Sequence, residues 1–313
     1  MIALTKAFRS MPTLLSTVML VEIPNIMGLT IVQGVGKGSV MVVRAKRVYV
    51  ATRTRYQEVV IADLEDFGLS LVLDGYIQSA EIDEYIYHES LVHPAMVLHP
   101  SPRKVLIVGG GEGATLREVL KHRTVEEATM VDIDGELVEL CKKYLEPMHR
   151  GAFSDPRARI VIEDGKKFVE ETKDRYDVII LDLTDPYSSE IAKELYTEPF
   201  YRKVLEHLNP GGVIVTQAGN SFFYEEVYDG VLQSVSKVFR YVLEYNVWIP
   251  SFGYACNFIL ASNDHDPAKL RPEDVDARLR ERGVETKFFC GATYLSMLST
   301  PIYRRGRCVR RSL

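Results

Sequence analysis

The chain has 313 residues, 46% of them apolar, and a formal net charge of −5. That length can bury a sizeable core and fits one large domain beside a smaller one, and the mildly acidic balance argues against nucleic-acid binding, which calls for a basic surface. The four cysteines, Cys141, Cys256, Cys290 and Cys308, show no metal-ligand spacing, so no metal centre is expected and they read as free thiols, a Cys290–Cys308 bridge being plausible mainly in a hyperthermophile's protein.

At the N-terminus, Lys6 and Arg9 precede an apolar run from Met11 to Val21. The run imitates a signal peptide, but no A-x-A cleavage site follows. Glu22, Pro24 and Asn25 interrupt it before it could span a bilayer. It reads as an extension that packs or pairs, and the protein is expected to be soluble and cytoplasmic. Residues 26–83 then read as short strands, Ser39–Ala45, Val48–Thr52, Glu58–Leu64 and Leu69–Leu73, punctuated by Gly36, Gly38, Gly68 and Asp74-Gly75. This predicts a small antiparallel β domain over 1–83, N-terminal extension included.

The pattern changes at about Asp83. Tyr87, Leu91, Ala95 and Leu98 recur at helical spacing over Glu84–Leu98. Strands at Lys104–Val108, Glu127–Asp132, Ala158–Glu163, Tyr176–Leu181 and Gly212–Gln217 then alternate with helices at Gly113–Lys121, Glu136–Leu145, Lys166–Thr172, Glu198–Leu208 and Tyr224–Val238. Strands Tyr241–Ile249 and Asn257–Ala261 close the series. Unbroken apolar strands such as Val105–Val108 and Val178–Leu181 suit a parallel sheet covered on both faces. The fold class is therefore α/β: a doubly wound, Rossmann-like, mostly parallel sheet of the class I methyltransferase type over 84–313, preceded by the small β domain. The basic tail from Arg304 to Arg311 reads as a solvated end.

The turn Gly109-Gly-Gly-Glu-Gly113 follows the first strand of that domain and opens a helix, where a doubly wound sheet binds ligands. Its glycines, Gly109 and Gly111 among them, let backbone approach a ligand closely. Asp132 ends the second strand, where a carboxylate can hold ribose hydroxyls. Asp164-Gly165 ends the third, within reach of an adenine amino group, and Asp182 and Asp185 end the fourth. Any one of these acids could be a helix N-cap or a solvated loop residue; acids at four successive strand ends are hard to explain as packing. Glu112 discriminates among nucleoside ligands. It would repel a pyrophosphate and the carboxylate of S-adenosylmethionine, yet attract the lone ammonium of the decarboxylated form. At ~4 Å and an effective dielectric of ~20, one such pair amounts to ~4 kcal/mol before desolvation.

Over about residues 53–263 the chain resembles the spermidine synthase family of aminopropyltransferases. The resemblance rests on Thr54-Arg-Tyr-Gln57, Leu73-Asp-Gly-Tyr-Ile-Gln78, Asp83-Glu-Tyr-Ile-Tyr-His-Glu89, the Gly109–Gly113 turn, Asp164-Gly165 and Asp182-Leu-Thr-Asp-Pro186. It implies transfer of an aminopropyl group from decarboxylated S-adenosylmethionine, a co-substrate rather than a cofactor, to an amine. It implies that Gln57, Glu112, Asp132 and Asp164 hold the donor, that Tyr87 and His88 line the acceptor and aminopropyl channel, that Asp182 is the general base, and that Asp185 anchors an acceptor amine. Leu195-Tyr-Thr197, Leu208–Gly219 and Ile249–Phe252 look like thermospermine synthases, which act on spermidine. Where spermidine synthases usually carry Pro-Thr-Tyr-Pro, this chain has Pro250-Ser-Phe-Gly253, so the acceptor-gripping Tyr hydroxyl is missing at Phe252. Tyr187-Ser-Ser189 stands where a Gly-Pro is usual. A putrescine-using spermidine synthase is the nearest alternative, with an S-adenosylmethionine-dependent methyltransferase and a non-catalytic polyamine-binding protein further off. The resemblance also implies a homodimer or homotetramer.

Overall fold

The computed structural model describes residues 18–20, 29–187, 190–304 and 307–308. The chain divides into two compact units between Ile82 and Asp83. In the first unit, strands Val18–Leu20, Leu29–Gly36, Ser39–Arg53, Glu58–Leu64, Gly68–Leu73 and Tyr76–Ala80 form one sheet in sequential, antiparallel order. Ile31, Val43, Val60, Leu64, Val72 and Ile77 centre its core. The Asp74-Gly75 hairpin follows from local chemistry. Leu73 pairs with Tyr76 across two residues at φ 46° and 88°, the left-handed pair that a type I′ turn requires.

Where the sequence pattern suggests two strands between residues 39 and 52, the chain forms one, Ser39–Arg53. No glycine or proline separates Ala45 from Val48. The register instead slips between Ala45 and Arg47 and between Val48 and Val50; such slips bend a strand without ending it. Of the N-terminal extension, only Val18–Leu20 is described, paired with Leu29–Ile31. The rest of it, the side chain of Cys308 and most of the basic tail lie outside the described residues. Arg304 is not solvated as the tail's composition suggests. Its buried guanidinium reaches Asp229 at 2.9 Å and Glu244 at 3.1 Å.

The second unit holds a seven-stranded sheet. Counting its strands along the chain, the spatial order is 3-2-1-4-5-7-6, formed by Ala158–Ile162, Glu127–Asp132, Lys104–Gly109, Tyr176–Asp182, Leu208–Gln217, Tyr254–Ser262 and Tyr241–Ile249. Tyr254–Ser262 alone runs opposite to the other six strands. This is the methyltransferase-type doubly wound architecture that the alternating pattern predicts, and Leu106, Val108, Ile179, Leu181 and Ile214 fill one side of its core. The order reverses between Lys104–Gly109 and Tyr176–Asp182, so a crevice opens at the carboxyl ends of those two strands. Two helices beyond the predicted series, Pro272–Glu281 and Gly291–Ser299, follow the sheet. Among the described residues, no helix is long and apolar enough to cross a membrane, and no group of three or more His, Cys, Asp or Glu could hold a metal.

Gly109 marks the reversal. It lies opposite Asp182 in the parallel ladder, at φ +86°, and a Cβ there would meet the Asp182 carbonyl oxygen at 2.0 Å. Side chains are excluded by both backbone angle and space. The Gly109→Ala variant is expected to lose about 2 kcal/mol or more of unfolding free energy in urea titration; wild-type stability would show that the two strand ends can part without cost.

Candidate active site

The crevice is lined from both sides of the reversal. On one side the Gly109–Gly113 turn leads into the helix Ala114–Leu120. The Gly110 amide donates to the Asp182 carbonyl at 3.1 Å, which ties the turn to the neighbouring strand. Gly111 allows a second close approach, since a Cβ on it would lie 2.6 Å from Asp132 Oδ2.

Asp182 ends the strand Tyr176–Asp182 and receives two hydroxyls, Tyr87 OH on Oδ1 at 2.8 Å and Thr115 Oγ1 on Oδ2 at 2.6 Å. Tyr87 comes from the helix Glu84–Leu98 and Thr115 from the helix after the glycine turn. Burial, and then the Asp182 charge, push the Tyr87 phenol well above its ordinary range, so it holds its proton and donates. Its ring stands edge-on to His88 at 5.0 Å and packs near Phe252 at 5.7 Å. Three residues on, Asp185 Oδ2 accepts from Tyr254 OH at 3.3 Å. Burial raises the Asp185 carboxyl, against the pull of Tyr187, Tyr254 and Gln217.

Asp132 accepts from the Asp134 amide at 2.8 Å. Burial pushes it up to about 6, although backbone donors at Asp134 and Gly111 oppose the rise. Asp164 caps the helix Gly165–Glu171, its Oδ1 accepting from the amides of Lys166 at 2.8 Å and Lys167 at 3.3 Å. The bland reading of an acid before a helix thus holds for that oxygen. A Cβ on Gly165 would lie 2.4 Å from Val108, so this glycine lets the helix pack on the first strand. Glu112, buried in the turn, has Oε1 2.8 Å from His88 Nε2.

The Asp83–Glu89 segment is almost entirely committed. Asp83 accepts from the Ser251 amide at 2.7 Å and its hydroxyl at 3.0 Å. Glu84 pairs with His88 and Arg117. Glu89 accepts from the amides of Lys287, Phe288 and Phe289 at 2.7–2.8 Å. Each acid of the motif fixes a different distant segment to one helix.

Tyr87, Asp182, Thr115, His88, Glu112, Gly111 and Asp132 are thus linked by direct contacts. Asp164 and Gly165 stand at the next strand end, and Asp185 with Tyr254 on the other side. Gln57 belongs to the first unit, half-buried on the turn before Glu58–Leu64, its carbonyl accepting from the Thr54 amide at 2.9 Å. Sequence reasoning misses Thr115 and Tyr254. Thr115 sits two residues past the glycine turn, where a hydroxyl in the first helical turn over a strand end was the available signal. Tyr254, two positions after the buried Phe252, brings its hydroxyl to Asp185. Beyond Tyr254 lies a cavity of about 790 Å³ walled by Phe222, Phe223, Trp248, Phe288 and Met297. Among the described residues no carboxylate lines it, and none of them offers a counter-charge to a cation there.

Comparison with known proteins gives a consistent result. The family described as the spermine/spermidine synthase domain matches residues 84–270. A polyamine aminopropyltransferase of Pyrobaculum neutrophilum is 58% identical over 284 residues, covering 90% of this chain and 98% of that protein. Polyamine aminopropyltransferase 1 of Hyperthermus butylicus is 53% identical over 249 residues, covering 79% and 85%. Among solved structures, a spermidine synthase in complex with the transition-state analogue AdoDATO superposes with a TM-score of 0.82 at 32% identity, covering 90% of this chain and 94% of that one. The spermidine synthase from Thermotoga maritima gives 0.80 at the same identity.

The raised Asp132 carboxyl has a measurable consequence. Unfolded, the group titrates near 3.8; folded, near 6. The folded protein therefore binds the extra proton between those values, and the penalty for the buried charge is complete above about pH 6 and absent below about pH 4. Asp132→Asn is expected to stabilise the ligand-free protein by up to about 3 kcal/mol at pH 7.5, the gain shrinking as pH falls toward 4. Denaturant titrations at both pH values check this; an equal or opposite effect at the two would refute it.

Proposed function

The chain belongs to the spermine/spermidine synthase family and is a polyamine aminopropyltransferase; from that premise we propose that it carries the aminopropyl group of decarboxylated S-adenosylmethionine to spermidine, with Asp182 as general base. The observation that carries this reading is the environment of Asp182. One carboxylate at the strand reversal is held by two neutral hydroxyls, Tyr87 and Thr115, with no cation on it among the described residues. Both its oxygens are oriented, and its charge is left for a cationic substrate.

The chemistry asks little else of the protein. The donor's sulfonium activates the adjacent carbon, and the leaving group is a neutral thioether. The nucleophile is the difficulty, because an alkylammonium of pKa ~10 has no lone pair at neutral pH. Asp182 takes one proton from it, directly or through the Tyr87 hydroxyl. The freed nitrogen pair attacks the carbon in line with sulfur, the C–S bond breaks toward sulfur, and methylthioadenosine leaves. Much of the rate comes from holding that line. Asp132 and Asp164 would hold the ribose and adenine. Gly109 and Gly111 let the backbone approach them, and Gly165 sets the height of the helix that carries Asp164. Glu112 would bind the donor ammonium, and Asp185 a second ammonium of the acceptor. Intact S-adenosylmethionine brings a carboxylate toward Glu112, which argues against methyl transfer on this methyltransferase-type fold.

Spermidine as acceptor is supported by the departures at Phe252 and Tyr187-Ser-Ser189, where putrescine-using relatives carry other residues. Tyr254 and Tyr187 both act on Asp185, so this end of the site is built from larger, aromatic groups.

Two measurements test this. With decarboxylated S-adenosylmethionine and a panel of amines, methylthioadenosine should form fastest with spermidine; putrescine leading by tenfold would overturn the acceptor assignment. Asp182→Asn should lower turnover by about 100-fold or more while donor affinity stays within about threefold. Near wild-type turnover would remove Asp182 from the role of base.

A further inference from the structure

His88 lies at the centre of a buried chain of opposite charges. Its Nε2 is 2.8 Å from Glu112 Oε1. Its Nδ1 is 2.8 Å from both the Glu84 carbonyl and Glu84 Oε2, one helical turn back. Glu84 is gripped by both terminal nitrogens of Arg117, at 3.0 and 2.8 Å. Arg117 continues to Glu118 at 2.8 Å, and Glu118 to Lys121 at 2.7 Å and His93 at 3.0 Å. Carboxylates and cations alternate from the glycine turn to the far end of the helix Ala114–Leu120. The His88, Glu84, Arg117 and Glu118 side chains are each no more than 7% exposed.

Two consequences follow from that geometry. Both His88 ring nitrogens are occupied by carboxylates, so neither is left to receive an amine. Glu112 Oε1 lies in ionic contact with His88, which leaves Oε2 as its ligand oxygen. Without the imidazole, Glu84 and Glu112 would face each other as like charges in a dry setting, and one would give up its charge or turn away. The direction of the titration agrees. Burial alone would lower His88, yet Glu112 and Glu84 raise it well above its ordinary range, while His88 and Arg117 overcome burial to hold Glu84 at about 2.

We infer that His88 is a positioning residue for Glu112, braced by Glu84 and Arg117, and that it governs capture of the donor's ammonium group rather than binding of the acceptor. This rests on the reading above that Glu112 is the ammonium ligand.

The test compares two ligands that differ by that ammonium, decarboxylated S-adenosylmethionine and methylthioadenosine, by calorimetry on the full chain. In His88→Gln the donor should bind about tenfold more weakly or worse, with methylthioadenosine within about twofold of wild type. Steady-state kinetics should show KM for the donor rising while KM for spermidine stays within about twofold. Should His88→Gln fail to fold, Glu84→Gln, which breaks the chain one step back and leaves the imidazole in place, should show the same selective loss to a smaller degree. A rise in spermidine KM alone would return His88 to the acceptor channel and sink the inference. Equal weakening of both ligands would reduce the histidine to a general structural part and also sink it. Glu112→Gln separates this from the parent reading. If Glu112→Gln keeps donor affinity, the ammonium assignment itself falls. If Glu112→Gln loses it while His88→Gln and Glu84→Gln do not, only the role of His88 falls.

Discussion

Like charges crowded on one edge of a parallel sheet are the constraint around which the second unit is organised. Asp132, Asp164, Asp182, Asp185 and Glu112 all stand at or next to the carboxyl ends of its first four strands. An unpaired carboxylate in a dry site is costly, and several together are costlier. Each is met differently: Asp182 by two hydroxyls, Asp185 by tyrosines, Asp132 by backbone amides, Asp164 by a helix N-terminus and Glu112 by an imidazole. Several of these partners come from other elements: the helix Glu84–Leu98, the helix behind the glycine turn and the strand Tyr254–Ser262. The surrounding elements are therefore fixed to the acids rather than merely packed near them.

The same constraint separates what could be read in the sequence from what could not. Strands such as Lys104–Gly109 and Tyr176–Asp182 were legible because burial on both faces leaves unbroken apolar runs, and the Asp74-Gly75 hairpin because its backbone angles restrict composition. The acids were legible because each ends such a strand. Their partners were not. Thr115 and Tyr254 reach Asp182 and Asp185 across 67 and 69 residues of chain, and only the strand order brings them there. The helix Pro272–Glu281 escaped notice because Val275 and Leu279 are its only buried apolar residues, too few to mark a stripe. The two strands read between residues 39 and 52 are one because bulges change which face is buried without any breaker in the sequence.

The motif at residues 83–89 shows how much of a recognisable pattern can be taken up by contacts within the fold. Its resemblance points to residues that touch substrate, yet four of its seven members, Asp83, Glu84, His88 and Glu89, are buried in contacts with Ser251, Arg117, Glu112 and residues 287–289. Tyr87 alone among these contacts reaches the strand-end acid proposed as base. A pattern can be tightly specified because it clamps four segments to one helix turn, and that specification looks the same in sequence as substrate contact.

The kind of partner given to each acid also grades the charge along the crevice. Hydroxyls orient Asp182 and Asp185 without cancelling their charge, whereas His88 sets a cation against Glu112. On the proposed reading the acceptor is the more highly charged substrate, a polyamine with several ammonium groups, and it meets the uncancelled acids. The donor's ammonium lies near its own sulfonium and meets the acid whose charge is tempered. A carboxylate left fully uncompensated at Glu112 would hold the ammonium more tightly in the ground state, without helping the carbon–sulfur bond to break. Tempering it with a fixed imidazolium gives direction to the contact while limiting its strength, and directed, moderate binding is what an in-line displacement requires.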